Sequence, residues 1–224
     1  MTAFAILRIQ KHSSLASLAG VARHHSRQSR ARGCDPEKSP RNLSFGAACS
    51  GSAGVVAAVG SVIEQAQAKQ SKAFRRDAVK AVEFMFTASP EWWKTASPKY
   101  RSAFFDRARR WLREKHPGGV VAEWVHLDER SPHLHAVVVP LHEGRLNARH
   151  FFGGAKKLEA LQDEFASLMQ PLGLVRGVRG SDAPHLPVSA WWSALDRPPE
   201  PVKRSDYLRK SMGLPAPAVD QAEK

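Results

Sequence analysis

The chain has 224 residues, of which 42% are hydrophobic and 25% are charged, a balance typical of one ordinary folded domain with tails. Its 34 Lys and Arg residues exceed its 21 Asp and Glu residues, leaving a formal net charge of +13. This excess favours a polyanionic partner, with nucleic acid as the first candidate and a generically basic surface as the alternative. Cys34 and Cys49 have no paired spacing, which excludes a disulfide framework or a cysteine zinc site and fits a reducing cytoplasm.

The first part of the chain predicts a strand and then irregular segments. Residues 2–9 are rich in β-favouring side chains and predict a first strand. Residues 22–33 are dense in Arg and His, so we expect a surface loop, a segment that orders on its partner, or a solvated arm. The charge-free residues 45–63 contain four glycines and are too weakly hydrophobic for a membrane span. They predict a mobile linker leading into a helix, and we expect no stable membrane insertion.

The middle of the chain predicts a helix, a strand and a second helix. Residues 61–73 are rich in Gln, Ala and Lys and indicate the first helix, and residues 82–87 indicate a central strand. Ser97 and Pro98 are typical of an N-cap and a first helical residue. Apolar side chains then recur at helical spacing until Pro117, which predicts an amphipathic helix.

The remaining pattern predicts a strand pair, a helix and a tail. Residues 120–127 and 133–140 are apolar runs separated by a short polar connection, which indicates two adjacent antiparallel strands. Residues 156–169 carry apolar side chains on one helical face, with Gly173 beyond the end. Prolines dominate the chain after residue 182 and predict an extended tail.

Residues 126–135 read H-L-D-E-R-S-P-H-L-H and are the most informative segment. Side chains two apart in a strand share a face, so His133 and His135 present both imidazoles to one side. If the chain doubles back at residues 128–132, His126 lies alongside them. Three protein ligands leave coordination positions open for a substrate, which is the pattern of a catalytic metal site.

The same turn carries two carboxylates. Asp128 or Glu129 could orient an imidazole or accept its proton. Imidazoles suit zinc, copper, iron, nickel or manganese, so the ligands alone do not choose the metal. Beside DNA, a divalent ion can polarise a phosphodiester oxygen and neutralise charge during attack at phosphorus. The alternative without a functional site is that His133 and His135 are simply polar residues on the exposed face of a strand.

The pattern H-x-D-E-x-x-P-H-x-H after a hydrophobic strand resembles the metal motif of the Mob/Pre relaxases, which belong to the HUH endonuclease superfamily. Residues 75–93, 158–169 and 173–185 follow in the family's order, so the resemblance covers about residues 2–185. It implies an α+β fold in which helices flank a central antiparallel β-sheet. It also implies a catalytic domain over residues 1–185 and a proline-rich C-terminal tail over residues 186–224.

The resemblance implies a reaction, a cofactor and partners. In such enzymes a side chain attacks one phosphodiester at an origin of transfer, leaving a free 3′-hydroxyl and a protein linked to the 5′ phosphate. The broken bond's energy is kept in that linkage, so the strand can be rejoined. The implied cofactor is Mn²⁺ or Mg²⁺. The implied partners are single-stranded or supercoiled origin DNA and mobilisation or conjugation proteins.

The Mob/Pre branch resembles a histidine-nucleophile design with an early H-N-x-R motif. The corresponding residues here are His24-His25-Ser26-Arg27, in which His25 replaces the Asn of the motif. Counting back from Arg27 favours His24 as the nucleophile and leaves His25 as the alternative. We expect Glu129 or Asp128 to hold the nucleophile in its neutral form.

Several other residues are candidates for DNA contact or for a different nucleophile. The candidate phosphate contacts are Arg27, Arg75, Arg76, Arg176, Arg179 and Lys203. The tryptophan pairs that could stack on bases, or equally pack in a core, are Trp92-Trp93 and Trp191-Trp192. A tyrosine mechanism would have to use Tyr100, which we expect to pack or lie at the surface, or Tyr207 in the tail.

Two functions of other classes compete with the relaxase interpretation. A metal enzyme that uses the three histidines on a small molecule would explain H-x-H but not the positive charge. A non-catalytic DNA-binding module would explain the charge but not the clustered ligands. A working metal site with covalent DNA attachment separates the relaxase from both.

Overall fold

A six-stranded β-sheet lies at the centre of the fold. The computed structural model describes residues 2–29 and 33–179 of the chain. Its strands are β1 (Ala3–His12), β2 (Leu43–Phe45), β3 (Ala81–Ala88), β4 (Val120–His126), β5 (His133–Val138), β6 (Leu141–His142), β7 (Arg145–Leu146) and β8 (Leu174–Arg176). The sheet order is β2-β4-β5-β3-β1-β8, and β6 pairs with β7 separately. All neighbours in the large sheet are antiparallel except β1 and β8, which are parallel.

Helices cover both faces of this sheet. They are α1 (Leu15–His25), α2 (Ser52–Ala68), α3 (Pro90–Thr95), α4 (Pro98–Lys115), α5 (Ala148–Phe152) and α6 (Ala155–Met169). Helices α1 and α2 pack on one face, against Trp124 and Val137. Helices α3 to α6 pack on the other face, where Phe84, Phe86 and Leu134 belong to the larger core cluster. This arrangement confirms the predicted α+β class with a helix-flanked sheet.

The hydrophobic patterns located most elements correctly. The first strand, the central strand β3, the adjacent pair β4 and β5, and helices α4 and α6 all occur where the sequence predicted them. Ser97 caps α4 by accepting a hydrogen bond from the Tyr100 amide at 3.3 Å. Gly173 follows α6 with a φ of 78°, which glycine adopts without strain.

Helix α1 continues to His25, so the predicted loop or arm over residues 22–33 is wrong for residues 22–25, while residues 26–29 form turns without regular secondary structure. Ser14 caps its start by accepting a hydrogen bond from the Ser17 amide at 3.2 Å. Leu18 and Ala22 are fully buried on its inner face, and burying one Leu side chain contributes about 2 kcal/mol. This inner face and the cap stabilise the helix although its last turn carries the basic residues Arg23 and His24, which are not buried. Residues 30–32 lie outside the described ranges.

Helix α2 contradicts the predicted linker over residues 45–63 and the predicted helix start near residue 61. It begins at Ser52 and ends at Ala68. Val55 and Val59 are fully buried and hold it against the sheet despite its glycines. Among the described helices, none is both long enough and apolar enough to cross a membrane.

Candidate functional site

Three histidines converge at the ends of β4 and β5. His126 lies opposite His133 in the antiparallel register, and His135 lies on the same face two residues further along β5. The ring centroids of His126 and His133 are 5.1 Å apart, those of His126 and His135 are 5.3 Å apart, and those of His133 and His135 are 4.8 Å apart. The structure therefore brings together the three side chains that the sequence proposed as metal ligands.

His126 and His133 each have one nitrogen held by a hydrogen-bond acceptor outside the cluster, whereas His135 lies beside a carboxylate without hydrogen-bond geometry. His126 Nε2 lies 3.0 Å from the His25 carbonyl, and His133 Nδ1 lies 2.9 Å from the Ser131 carbonyl. His135 Nδ1 lies 2.9 Å from Glu83 Oε1. Because an acceptor favours a proton on the nitrogen that faces it, the other nitrogen of the His126 and His133 rings keeps its lone pair. His126 Nδ1 and His133 Nε2, the nitrogens that face the cluster, are 3.2 Å apart, within hydrogen-bond distance of each other.

Glu129 adds an oxygen beside two of these rings. Its Oε1 lies 3.7 Å from His133 Nε2 and 4.0 Å from His126 Nδ1. Potential ligand atoms of His126, Glu129 and His133 lie within 4.8 Å of one another, and so do those of a second group, His25, His126 and His135. The predicted histidine trio is thus divided between two overlapping groups that share His126. A set of imidazole nitrogens with one carboxylate oxygen fits a first-row divalent ion such as Mn²⁺.

A buried carboxylate that the sequence analysis did not single out lies beneath the histidines. Glu83 on β3 has an oxygen 2.7 Å from His25 Nε2 and another 3.6 Å from His12 Nε2. Burial alone raises the pKa of Glu83, but its contacts with His12, His135 and His25 outweigh burial and lower it. The ionised carboxylate therefore orients His135 in the way that outer carboxylates orient metal-bound histidines.

The two candidate nucleophiles, His24 and His25, have different environments at the end of α1. His25 is buried, stacks on His135 with ring centroids 3.8 Å apart, and is bonded to Glu83. Burial lowers the pKa of His25 to about 4. His24 is only partly buried, so its ring remains accessible. Burial and the nearby Arg27 charge lower the pKa of His24 and favour its neutral form.

Arg27 connects the end of α1 to the β4–β5 turn. Its guanidinium donates to Asp128 at 3.0 and 2.6 Å and to Glu129 at 2.8 Å. Asp128 also accepts a hydrogen bond from the Ser39 hydroxyl at 2.7 Å. Burial raises the pKa of Asp128, but these hydrogen bonds outweigh burial and lower it. Asp128 is thus engaged by Arg27 and Ser39, whereas Glu129 also faces the histidines.

The other arginines proposed for DNA contact lie apart from this cluster or already have partners. Arg75 forms an exposed ion pair with Asp77 at 2.6 Å, and the neighbouring Arg76 is exposed. Arg176 and Arg179 both pair with Asp163 on α6.

The aromatic candidates divide between the core and the surface. Trp92 and Trp93 are buried in the larger core cluster, so packing is their observed role. Tyr100 is 45% exposed on α4. The tail residues Lys203 and Tyr207, and the pair at residues 191–192, lie outside the described ranges.

The cluster also includes a cysteine without a predicted role. Cys34 Sγ lies 3.6 Å from Glu129 Oε1. Burial and the Glu129 charge raise the pKa of this thiol to about 11. The thiol is therefore protonated at neutral pH and is a poor nucleophile.

Comparisons with known proteins agree with this geometry. The family model for Mob_Pre, described as plasmid recombination enzyme, matches residues 1–192. A 65 kDa protein of Zymomonas mobilis subsp. mobilis is 33% identical over 200 residues, covering 88% of this chain and 34% of the relative. A plasmid recombination enzyme of a Bacillus species is 30% identical over 192 residues, covering 83% of this chain and 45% of the relative. The chain thus spans less than half of the length of either relative.

Solved structures show the same fold. The MobM relaxase domain, with Mn and a 22-nucleotide pMV158 oriT DNA, matches with a TM-score of 0.76 and 24% identity over 85% of this chain and 99% of that one. A second structure of that domain, with Mn and a 23-nucleotide oriT DNA, has a TM-score of 0.71 and 25% identity over 87% and 100%. The family-model match over most of the chain, together with these relatives, identifies the chain as a member of the Mob/Pre family of plasmid recombination enzymes.

Proposed function

We propose that this chain is a relaxase that nicks one strand of plasmid DNA at an origin of transfer and can rejoin or transfer it, for plasmid mobilisation or recombination. One observation carries the proposal. Three imidazoles converge beside Glu129 and beside the helix end that bears His24. The Mn and oriT DNA bound to the MobM relaxase domain, which has this fold, support it.

The metal site in this proposal consists of His126, His133 and His135, with Glu129 as a neighbouring oxygen donor. A Mn²⁺ or Mg²⁺ ion bound there would polarise a phosphodiester oxygen and neutralise developing charge. The His25 and Ser131 carbonyls favour the tautomers of His126 and His133 that leave a lone pair for the ion, and the Glu83 carboxylate lies 2.9 Å from His135 Nδ1.

His24 is the proposed nucleophile. Its lowered pKa keeps the imidazole neutral near pH 7, so one ring nitrogen has a lone pair for attack on phosphorus. A nitrogen–phosphorus bond forms and the bond between phosphorus and the 3′ oxygen breaks. The leaving 3′ oxygen takes up a proton from water to become a hydroxyl, while the 5′ phosphate stays on the protein. His25 cannot present its ring equally well, because Glu83 and His135 enclose it.

The other candidate residues have supporting roles in this scheme. Arg27 positions Asp128 and Glu129, and it is also proposed as a phosphate contact through the hydrogens that its bonds to Asp128, Glu129 and the His24 carbonyl leave unused. Arg75, Arg76, Arg176 and Arg179 are proposed as outer phosphate contacts. The proposed catalytic domain covers residues 1–185, with residues 186–224 as a tail. Plasmid DNA as the substrate, with mobilisation proteins as further partners, assigns the enzyme to the cytoplasm.

The test is a nicking assay on supercoiled plasmids that carry the DNA upstream of this gene or the pMV158 oriT, with Mn²⁺. Detergent treatment should leave a nicked circle with protein attached to the DNA. The adduct should be acid-labile, as expected for phosphohistidine, and mass spectrometry should locate it on His24. His24→Ala and His133→Ala should lose the adduct, whereas His25→Asn should retain part of it. Tight binding of these DNAs without any nick would reject the relaxase in favour of a DNA-binding module.

A further inference from the structure

A groove of about 430 Å³ lies beside the edge strand β2, on the sheet face opposite α1. Its walls include the aromatic rings of Phe45, Trp93 and Phe105, and its rim includes Arg41 and Arg101. The volume falls in the range typical of sites for small organic groups, which is roughly 300–1,000 Å³. Nothing in the reaction described above uses these residues.

The groove lies at the same end of the sheet as the candidate metal site, but on the opposite face. Leu127 and Pro132 line it, and each is the chain neighbour of a proposed ligand, His126 or His133. The Pro132 carbonyl accepts a hydrogen bond from the Thr87 hydroxyl at 2.8 Å. A strand that passes the histidines would have to round the β4–β5 turn to reach the groove.

The walls offer flat surfaces of the kind on which nucleic-acid bases stack. Phe105 is stacked on Trp93, with ring centroids 5.3 Å apart and planes 20° from parallel. The guanidinium of Arg109 covers one face of the Phe45 ring, 3.4 Å from its centre, and forms an ion pair with Glu123 at 3.3 Å. Aromatic rings and guanidinium planes are the two surfaces that single-stranded bases use for stacking.

The rim has charge that suits a phosphate backbone. Arg41 and Arg101 are both exposed, and neither guanidinium forms an ion pair with a carboxylate among the described residues. The one acid lining the groove is Asp106, so the lining is net basic. Exposed arginines without acidic partners bind phosphates by charge-assisted hydrogen bonds.

We propose that this groove is a subsite for unstacked bases of the single DNA strand that continues away from the nicked phosphodiester. Phe105 and the Arg109 guanidinium, which itself covers Phe45, contact the bases, while Arg41 and Arg101 contact the adjoining phosphates. The proposal rests on the relaxase function for the identity of the strand. Because stacking accepts any base, the subsite retains the strand without reading its sequence.

Photocrosslinking tests the location of the strand. The probe is an oligothymidylate of about 12 nucleotides with a single 5-iodouracil, a length within the range for single-strand sites. The protein is the full chain carrying His133→Ala, in EDTA, so that no nicking is needed. We expect mass spectrometry to find the crosslink on Phe45, Trp93 or Phe105. Crosslinks confined to Tyr100 or to other residues outside the groove would overturn the proposal.

Competition measures whether bases, rather than phosphates alone, are bound. An abasic oligonucleotide of the same length should compete roughly 5-fold or more weakly than oligothymidylate, as expected for loss of base stacking. The double variant Arg41→Ala/Arg101→Ala and the variant Leu43→Asp, at the exposed rim, should reduce affinity for oligothymidylate severalfold. Arg110→Ala is the matched control, since this exposed arginine lies on α4 outside the groove lining. Equal losses in the control and the rim variants would contradict a specific subsite.

The outcomes separate this subsite from the proposed enzyme. Crosslinks in the groove with base-dependent binding, but no nick on any plasmid, would keep the subsite and reject the relaxase. Nicking without base-dependent binding would keep the relaxase and reject the subsite. If the protein instead self-associates in sedimentation experiments and Leu43→Asp abolishes that association, the groove belongs to a second copy of the chain and the proposal is wrong.

Discussion

The two faces of strand β5 differ in chemistry over residues 133–136, before Val137 packs in the second core cluster on the histidine face. Leu134, Ala136 and Val138 are fully buried in the larger core, whereas His133 and His135 point to the polar cluster beside α1. A slip of one residue in strand pairing would exchange the two sets. The hydrophobic set therefore determines the register, and the register places the candidate ligands. At residues 133–136, the alternation of side chains along the strand places the core residues on one face and the candidate metal ligands on the other.

The largest effects should come from one substitution on each face. Leu134→Ala should lower the free energy of unfolding by about 2–5 kcal/mol, because it leaves a cavity in a close-packed core. His133→Ala should leave the unfolding free energy nearly unchanged but reduce Mn²⁺ binding to background. Urea titration and isothermal calorimetry measure the two quantities. The comparison fails if Leu134→Ala weakens Mn²⁺ binding by the folded protein as much as His133→Ala does.

The buried carboxylate beneath the histidines should have the next largest effect. Glu83→Gln keeps the side-chain shape but removes the charge that orients His135, so Mn²⁺ affinity should fall about 10- to 100-fold. Calorimetry on folded protein, checked by circular dichroism, gives the value. Glu114→Gln, an exposed carboxylate on α4, is the control and should bind Mn²⁺ normally. An unchanged affinity in Glu83→Gln would show that Glu83 does not orient the ligand.

His116 is a buried histidine on the hydrophobic side of the sheet, away from the histidines of the candidate site. It is buried against Phe84 and Phe151, and its ring nitrogens have no hydrogen-bond partner among the described residues. Burial and the Lys115 charge lower its pKa from 6.5 to about 4. Between these two pH values the unfolded chain binds the additional proton, so stability falls as pH falls, by up to about 3 kcal/mol in total.

The variant His116→Leu should therefore lose less stability than the wild type between pH 6.5 and pH 4. Parallel urea titrations at several pH values isolate this histidine, because all other titrating groups are common to both proteins. If the two curves remain parallel over this range, His116 does not titrate as its burial implies.

The smallest expected effect compares the two capped helices on opposite faces. Ser14→Ala and Ser97→Ala should each cost about 1 kcal/mol of unfolding free energy, because each removes an N-cap. Only Ser14→Ala should also weaken Mn²⁺ binding, by less than Glu83→Gln does, since α1 supplies the carbonyl that orients His126. Equal Mn²⁺ affinities in the two variants would contradict a role for α1 in the metal site.

The sequence predicts the parts of this molecule that depend on local pattern. Alternation over residues 133–138 and the turn before them place the three histidines on one face, and the helical spacing after Ser97 locates α4. The roles of His24, Glu129 and the arginines stay predictions.

The parts that sequence reasoning missed depend on tertiary contacts. Helix α1 is obscured because its buried face has only a few side chains among many basic ones. Glu83 is a single carboxylate in a hydrophobic strand, distant in sequence from the motif, and only the sheet register brings it under His135. A charged residue inside a strand that is otherwise buried is the signal that would have found it.

The peptide carbonyl of His25 makes the last residue of α1 part of the support for His126, although it bonds to the ring from the side away from the cluster. Folding of the C-terminal end of α1 and orientation of the His126 ring are therefore coupled. The linkage is reciprocal: if a well-formed α1 strengthens ion binding by some free energy, then ion binding stabilises α1 by the same free energy. Amide hydrogens at the end of α1 would then exchange with solvent more slowly when the metal ion is bound, even though these amides do not contact the ion.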